Sequence, residues 1–355
     1  MTTLVKPPPI DPAKSPIENV LELTQLNDID PNLFTNTRPL WTPKGARGIY
    51  GGAAIAQCLS AAQRTVPDDY AIHSMHCYFV MAGNAEIPVI YHVERVRDGR
   101  SFITRTVQAR QRAKVIFTTT MSFARNNSGG TKRVEHQSSM ARVPPPKDDT
   151  DDLRSGGGPG EQGPFQSQRI DILNDDSYDP TIKRTRQWTK VAGNISKEGG
   201  HQAHLSALAY MSDSYFIGTV ARVHKLWRWA TGSRSDRQST VDEMTLKKLL
   251  SLDDRVLKER AGMDESTIQR LRNGENIVKE YPMIGMMVSL DHTIYFHNPR
   301  AFRADDWLYS EMESPWAGDG RGLVFQKIFT REGVLVATCV QEGVVRLKQP
   351  NDSKI

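Results

Sequence analysis

One order of segments occurs twice in this chain, and that repeat is the strongest constraint on what it can fold into. The first copy runs Ile49-Tyr50-Gly51-Gly52-Ala53-Ala54-Ile55-Ala56-Gln57, then His73-Ser74-Met75-His76-Cys77-Tyr78-Phe79. It closes with an alternating pair, Ser101 to Ala109 and Val115 to Phe123. The second copy runs His204-Leu205-Ser206-Ala207-Leu208-Ala209-Tyr210-Met211-Ser212-Asp213, then Val288-Ser289-Leu290-Asp291-His292-Thr293-Ile294-Tyr295-Phe296-His297. It closes with Gly322 to Phe329 and Val334 to Arg346. Alternation over such runs predicts half-buried strands. Aligning the closing strands sets Met121 opposite Gln341, and aligning His76 with His292 sets His73 opposite Ser289. Only the second copy carries polar residues where catalysis needs them, which suggests a scaffold copy and a working copy.

With 355 residues the chain exceeds one ordinary core, so two domains are expected. Residues 1–14 read as a flexible arm, 15–125 as an N-terminal domain and 126–168 as a linker. Residues 169–349 read as a C-terminal domain and 350–355 as a tail. Ser15-Pro16-Ile17-Glu18 is a capping box with Pro at the first helical position, predicting a short helix to Leu23. A helix of small residues is expected from Gly48 to Ala62, and a turn at Gln111-Arg112-Ala113. The linker holds Pro144-Pro145-Pro146, acidic residues from Asp148 to Asp152, and Gly156-Gly157-Gly158-Pro159-Gly160. Such a composition buries no core, so the linker is expected to be mostly disordered. A charged helical insertion of about 225–280 interrupts the second copy, with a capping box at Thr240-Val241-Asp242-Glu243.

The net charge of +5 is spread among interleaved acidic and basic residues, which reads as a solvated surface with a modest bias towards anions. Cys58, Cys77 and Cys339 are odd in number and form no CxxC pair, so neither a disulfide framework nor a structural metal site is expected. No apolar run is long enough for a membrane span, and Met1 to Ile10 lacks the apolar stretch of a secretion signal. Leu257 to Gly274 looks like part of a helix-turn-helix, but the preceding segment does not complete one, and no nucleic acid partner is expected. Ser353-Lys354-Ile355 is close to the Ser-Lys-Leu peroxisomal address.

A central helix wrapped by a long antiparallel sheet is the hotdog fold, so two such units predict an α+β double hotdog. Several ordered motifs then carry a family resemblance. Tyr50-Gly51-Gly52, the His73 to Phe79 segment, Val96-Arg97-Asp98-Gly99-Arg100-Ser101-Phe102, Leu290-Asp291-His292 with Tyr295-Phe296-His297, and Val340-Gln341-Glu342-Gly343 resemble the type II acyl-CoA thioesterases (TesB-like). The peroxisomal branch is the most similar. The resemblance implies hydrolysis of acyl-CoA to free fatty acid and CoA, with no metal or redox cofactor. It also implies a homo-oligomer, most simply a dimer, in the peroxisomal matrix, with an import receptor reading the C-terminal tripeptide.

In that family an Asp, a Ser or Thr, and a Gln of the second hotdog hold the hydrolytic water; the matching residues here are Asp213, Ser289 and Gln341. The set is chemically coherent: a carboxylate takes a proton from water, while a hydroxyl and an amide fix its orientation. Asp213 follows an apolar helix, where that helix's own dipole disfavours an anion. Gly51 and Gly52 are candidate oxyanion donors at a helix N-terminus, and Arg97, Arg100 and Arg346 are candidates for the CoA phosphates. His76 and His292 read as structural, the neighbouring Asp291-His292 pair as pointing to opposite faces, and the cysteines as core. Two alternatives stand beside hydrolysis: a hotdog enoyl-CoA hydratase or dehydratase, which would need an Asp/His pair aimed at one carbon, and a non-catalytic acyl-CoA-binding protein.

Overall fold

Small side chains decide where the two central helices go. The computed structural model describes residues 6–43, 46–146, 154–155, 163–226, 246–247, 249–261, 263–275, 277 and 284–349. Helix α1 (Pro16–Leu21) starts with the capping box, Ser15 N–H donating to the Glu18 carboxylate at 2.8 Å. It ends at Leu21, because Leu23 already belongs to a strand. Helix α2 (Gly51–Gln63) buries Ala53, Ala54, Ala56, Ala61 and Ala62. A helix this lean lies close to a sheet and to a second helix without a gap. That second helix, α3 (Gly200–Ser212), has the same length and buries Ala207, Ala209 and Leu208. The two run antiparallel: Gln63 at the end of α2 donates to Gln202 O near the start of α3, and Tyr50 just before α2 donates to Tyr210 O near the end of α3.

The strands of the first half are β1 (Leu23–Gln25), β2 (Leu33–Asn36), β3 (Tyr70–Phe79), β4 (Ile90–Asp98), β5 (Phe102–Gln111) and β6 (Lys114–Arg125). Those of the second are β7 (Arg154–Ser155), β8 (Phe165–Leu173), β9 (Arg184–Val191), β10 (Ile284–Ser289), β11 (Asp291–Phe296), β12 (Leu308–Gly318), β13 (Arg321–Phe329) and β14 (Leu335–Leu347). All pairings are antiparallel, and the order is β1-β2-β4-β5-β6-β3-β11-β14-β13-β12-β9-β8-β7, with β10 also on β14. The order reads alike outward from the β3–β11 junction, so the fold is a double hotdog whose two sheets join edge to edge into one. The β5–β6 hairpin turns through Arg112 and Ala113, both at positive φ (47° and 62°), which suits a two-residue turn between right-twisted strands.

A β-bulge aligns the halves. In β3 the register against β6 slips by one residue between Ile72 and Ser74. In the second half it slips between Ser289, which faces Gly343, and Thr293, which faces Val340. Superposing the bulges sets Met121 opposite Gln341, as the closing strands suggested. It sets Met75, not His76, opposite His292, and Ile72, not His73, opposite Ser289. Pairing His76 with His292 is therefore off by one residue, and in a strand one residue moves a side chain to the other face. His76 accordingly faces outward and is exposed, while His292 is fully buried.

Part of the stretch expected as a linker packs on the second half. Met140 and Val143 lie against the aromatic cluster of Trp188, Trp307, Tyr309 and Phe329, and Trp188 Nε1–H donates to Pro144 O at 2.9 Å. Residues 165–168, also expected in the linker, open β8. Composition misled here because three prolines and two apolar side chains suffice to lie on a ready-made surface without a core of their own. After α3 come α4 (Gly218–Val223), α5 (Asp254–Ala261) and α6 (Glu265–Arg272). The described part of the insertion has its own small core of Leu249, Leu257, Met263, Ile268, Leu271 and Ile277. The Thr240 capping box and the Ser353-Lys354-Ile355 tripeptide lie outside the described residues.

Candidate active site

Asp213 is the residue just past the last turn of α3. Its own helix offers it carbonyls, but the antiparallel arrangement brings it to the N-terminus of α2, where Gly52 N–H donates to its carboxylate. The unfavourable dipole expected from sequence is therefore offset by the favourable end of the neighbouring helix. Glycine is required at this approach. A Cβ on Gly51 would sit 2.8 Å from Asp213 Oδ2, and one on Gly52 would sit 2.3 Å from Tyr210 O. Tyr50, just before α2, donates from its hydroxyl to Tyr210 O at 3.0 Å and fastens the two helix ends together.

Gln341 Nε2 donates to Asp213 Oδ1 at 2.8 Å and also to His292 Nδ1 at 3.0 Å. Gln341 is fully buried, and its Oε1 has no hydrogen-bond partner. Burial pushes the Asp213 carboxyl up to about 6, against the lowering pull of the Gln341 and Gly52 donors. A carboxylate near 6 is a competent base at neutral pH: mostly ionised, yet basic enough to take a proton. His292 is driven down to about 3 by burial and stays a neutral imidazole.

A cavity of about 570 Å³ opens in front of this carboxylate. Asp213 and Ser289 both lie on its wall, with Gly51 beside them. The rest of the wall is mainly apolar and aromatic, including Trp41, Tyr50, Phe79, Phe117, Phe165 and Phe216. Gln341 stands behind Asp213, outside the wall. The expected trio is thus split: Asp213 and Ser289 share the cavity, and Gln341 reaches it through Asp213.

The remaining sequence candidates separate. Gly52 N–H is committed to Asp213, which removes it as an oxyanion donor, whereas Gly51 lines the cavity. Arg97 and Arg100 lie at the opposite end of α2. Arg97 O accepts from Arg105, which holds Thr65 just past that helix, and Arg100 O accepts from Tyr70. An α-helix of that length puts them roughly 20 Å from Asp213. Neither they nor the exposed Arg346 is on the cavity wall; the arginine there is Arg47, which no motif or spacing marked. Asp291 accepts from Glu342 N–H at 2.7 Å, apart from His292, and the three cysteines are buried and unbridged.

Known proteins resemble the chain along nearly its whole length. Residues 38–124 match the family model of the acyl-CoA thioesterase N-terminal domain, and residues 141–345 that of the acyl-CoA thioesterase C-terminal domain. The acyl-coenzyme A thioesterase 8 of Mus musculus is 33% identical, with 95% of this chain and 92% of that protein aligned. The peroxisomal acyl-coenzyme A thioester hydrolase 1 of Saccharomyces cerevisiae is 24% identical over 94% of this chain and 95% of its own. Among solved structures, the acyl-CoA thioesterase II TesB2 from Mycobacterium marinum superposes with a TM-score of 0.61 at 28% identity, covering 94% of this chain and 98% of that one.

Proposed function

The chain belongs to the type II acyl-CoA thioesterases, and from that premise we propose that Asp213 is the base that activates water for hydrolysis of a fatty acyl-CoA. The observation that carries this is the Asp213–Gln341 hydrogen bond, part-buried at the wall of an apolar cavity. The thioester carbonyl is electrophilic enough for direct attack. Asp213 takes the proton, water adds to the carbonyl carbon, and the tetrahedral intermediate collapses with the CoA thiolate leaving. Ser289, on the same wall, supplies a further polar contact that orients the water, and Gln341 holds from behind the carboxylate that receives its proton. The Gly51 amide at the α2 N-terminus stabilises the oxyanion. Arg47, at the cavity, takes a CoA phosphate.

The hydratase alternative needs a histidine facing the substrate. No histidine lines this cavity among the described residues, and His292 lies behind Gln341. We place the enzyme in the peroxisome, supported by the yeast relative's name and by Ser353-Lys354-Ile355 as the segment an import receptor would read. A reporter carrying Asn351 to Ile355 that stays cytosolic removes that placement. A dimer is supported by the outward row of His76, Tyr78 and Tyr295 on the helix-free face of β3 and β11; light scattering tests it.

The deciding experiment is release of free CoA thiol from a panel of acyl-CoAs, wild type beside Asp213→Asn. Turnover in the wild type that collapses in the variant, with acyl-CoA binding retained, is the expected result. Turnover that survives moves the base elsewhere, and a wild type that binds without turnover makes this a binding protein.

A further inference from the structure

Gln341 is a symmetrical-looking amide with two opposite chemical ends, and only one of its two orientations suits Asp213. With Nε2 towards the carboxylate it donates; turned over, it would set Oε1 against Oδ1, acceptor against acceptor. Asp213 alone does not have to enforce the choice, because His292 also reads the amide. Its Nδ1 lies 3.0 Å from Gln341 Nε2, and an amide nitrogen only donates, so Nδ1 is the acceptor. The other nitrogen, Nε2, must then carry the proton, and it lies 3.0 Å from Ser212 Oγ. Ser212 spends its own proton on Ala209 O at 2.9 Å, so its oxygen is free to accept from His292. The tautomer is thereby fixed from the α3 backbone outward: Ala209 O, Ser212, His292, Gln341, Asp213. Phe216 stacks edge-on to the imidazole at 5.4 Å and fills the remaining space.

We propose that His292 is a positioning residue for hydrolysis: its imidazole accepts from the Gln341 amide and locks it with its nitrogen on Asp213. The inference rests on the assignment of Asp213 and Gln341 made above. Two further observations support it. His292 is fully buried and pushed down to about 3, so it stays an acceptor at every pH at which the enzyme would work. Its counterpart in the first half is Met75, opposite Met121, both fully buried. The fold therefore packs this place without hydrogen bonds, and the polar pair in the second half answers to something other than packing.

The test compares three variants by thiol release, with kcat and KM separated and kcat/KM followed from pH 5 to 9. His292→Met installs the residue that the first half tolerates and deletes the acceptor. It is expected to lower kcat about 10- to 100-fold, with KM within about threefold. It should also move the acid limb of kcat/KM upward, because a loosened Gln341 donates less to Asp213. Among the described residues, the titratable groups that interact with Asp213 are Tyr50, Tyr210 and Cys77, all held neutral by burial across that range. His292→Asn, whose Oδ1 falls near the place of Nδ1, is expected to recover most of the rate. Gln341→Leu serves as reference, and combining it with His292→Met should add little further loss.

A His292→Met enzyme with unchanged kcat and acid limb overturns the proposal, even if its melting temperature falls. So does a His292→Asn enzyme no better than His292→Met. If Gln341→Leu itself turns over normally, the functional reading fails first; if Gln341→Leu is impaired and His292→Met is not, only the positioning role fails. Should His292→Met not fold, His292→Asn beside Ser212→Ala decides: the first is expected near wild type, and the second several-fold lower in kcat. Equal activity in both overturns the proposal.

Discussion

The two halves share strands, bulge and helix length, and differ at four matched places. Where the second half has Asp213, Ser289, His292 and Gln341, the first has Arg64, Ile72, Met75 and Met121. Arg64 closes α2 with the sign its dipole favours and donates to Leu23 O at 2.9 Å; Asp213 closes α3 with the opposite sign. Ile72, Met75 and Met121 are all but fully buried and cost nothing in desolvation. The corresponding end of the helix pair holds a smaller cavity of about 310 Å³, in which Ile72 occupies the place of Ser289. Buried polar groups are costly unless each is paired, and the second half carries that cost at Ser212, His292 and Gln341, while the first fills the matched strand places with Ile72, Met75 and Met121.

The difference can be broken at its strongest point first. Asp213→Asn is expected to reduce kcat by about 10²- to 10⁴-fold, the range of a lost general base. The same change should stabilise the protein at pH 8. The folded carboxyl sits at about 6 against an ordinary 3.8, so the native state binds its proton more tightly than the unfolded chain does. Stability is therefore highest below pH 4 for this group and declines as pH rises through about 6. Removing the charge should return about 1–3 kcal/mol at pH 8 and little at pH 4, read as the variant-minus-wild-type difference in unfolding free energy from urea. A variant as unstable as wild type at pH 8 would mean that the charge is better solvated than its burial implies.

Wild-type kcat/KM should rise through an acid limb near pH 6, the value for Asp213. Gln341→Met, the first-half residue at that place, should lower kcat about 10- to 100-fold and shift the limb upward, since a donor to the carboxylate is lost. A limb that stays in place would detach Gln341 from the base. Arg47→Ala is expected to raise KM for acyl-CoA several-fold at low salt, whereas Arg97→Ala and Arg100→Ala, at the far end of α2, should leave it within about twofold. The smallest catalytic effect belongs to Ile72→Ser, which copies Ser289 into the first half. It should cost about 1–3 kcal/mol of stability from an added buried hydroxyl, with kcat unchanged. New activity there would show that the first half lacks only a hydroxyl.

Much of the fold was legible in the sequence because periodicity and turn chemistry are local. The alternation from Phe102 to Arg125 and the Arg112-Ala113 turn give a hairpin without reference to anything distant. The Ala-rich run after Gly51-Gly52 gives a helix that must be covered on nearly every side. The Met140 to Val143 contact was not legible, because the surface it lies on is assembled from residues between Trp188 and Leu335, 45 to 195 positions further along the chain.

The sequence by itself determined a repeated hotdog unit, the identity of the polar residues special to its second copy, and the reason Asp213 looks misplaced on its own helix. The tertiary structure alone decided three things. Antiparallel packing of α2 on α3 turned a disfavoured helix end into a favoured one, since dipoles add across space and not along the chain. A one-residue bulge decided which histidine points inward, because side-chain direction in a strand depends on register. The network from Ala209 through Ser212 and His292 to Gln341 and Asp213 joins groups up to 132 positions apart, and hydrogen bonds of that reach are set by the sheet that brings their ends within 3 Å.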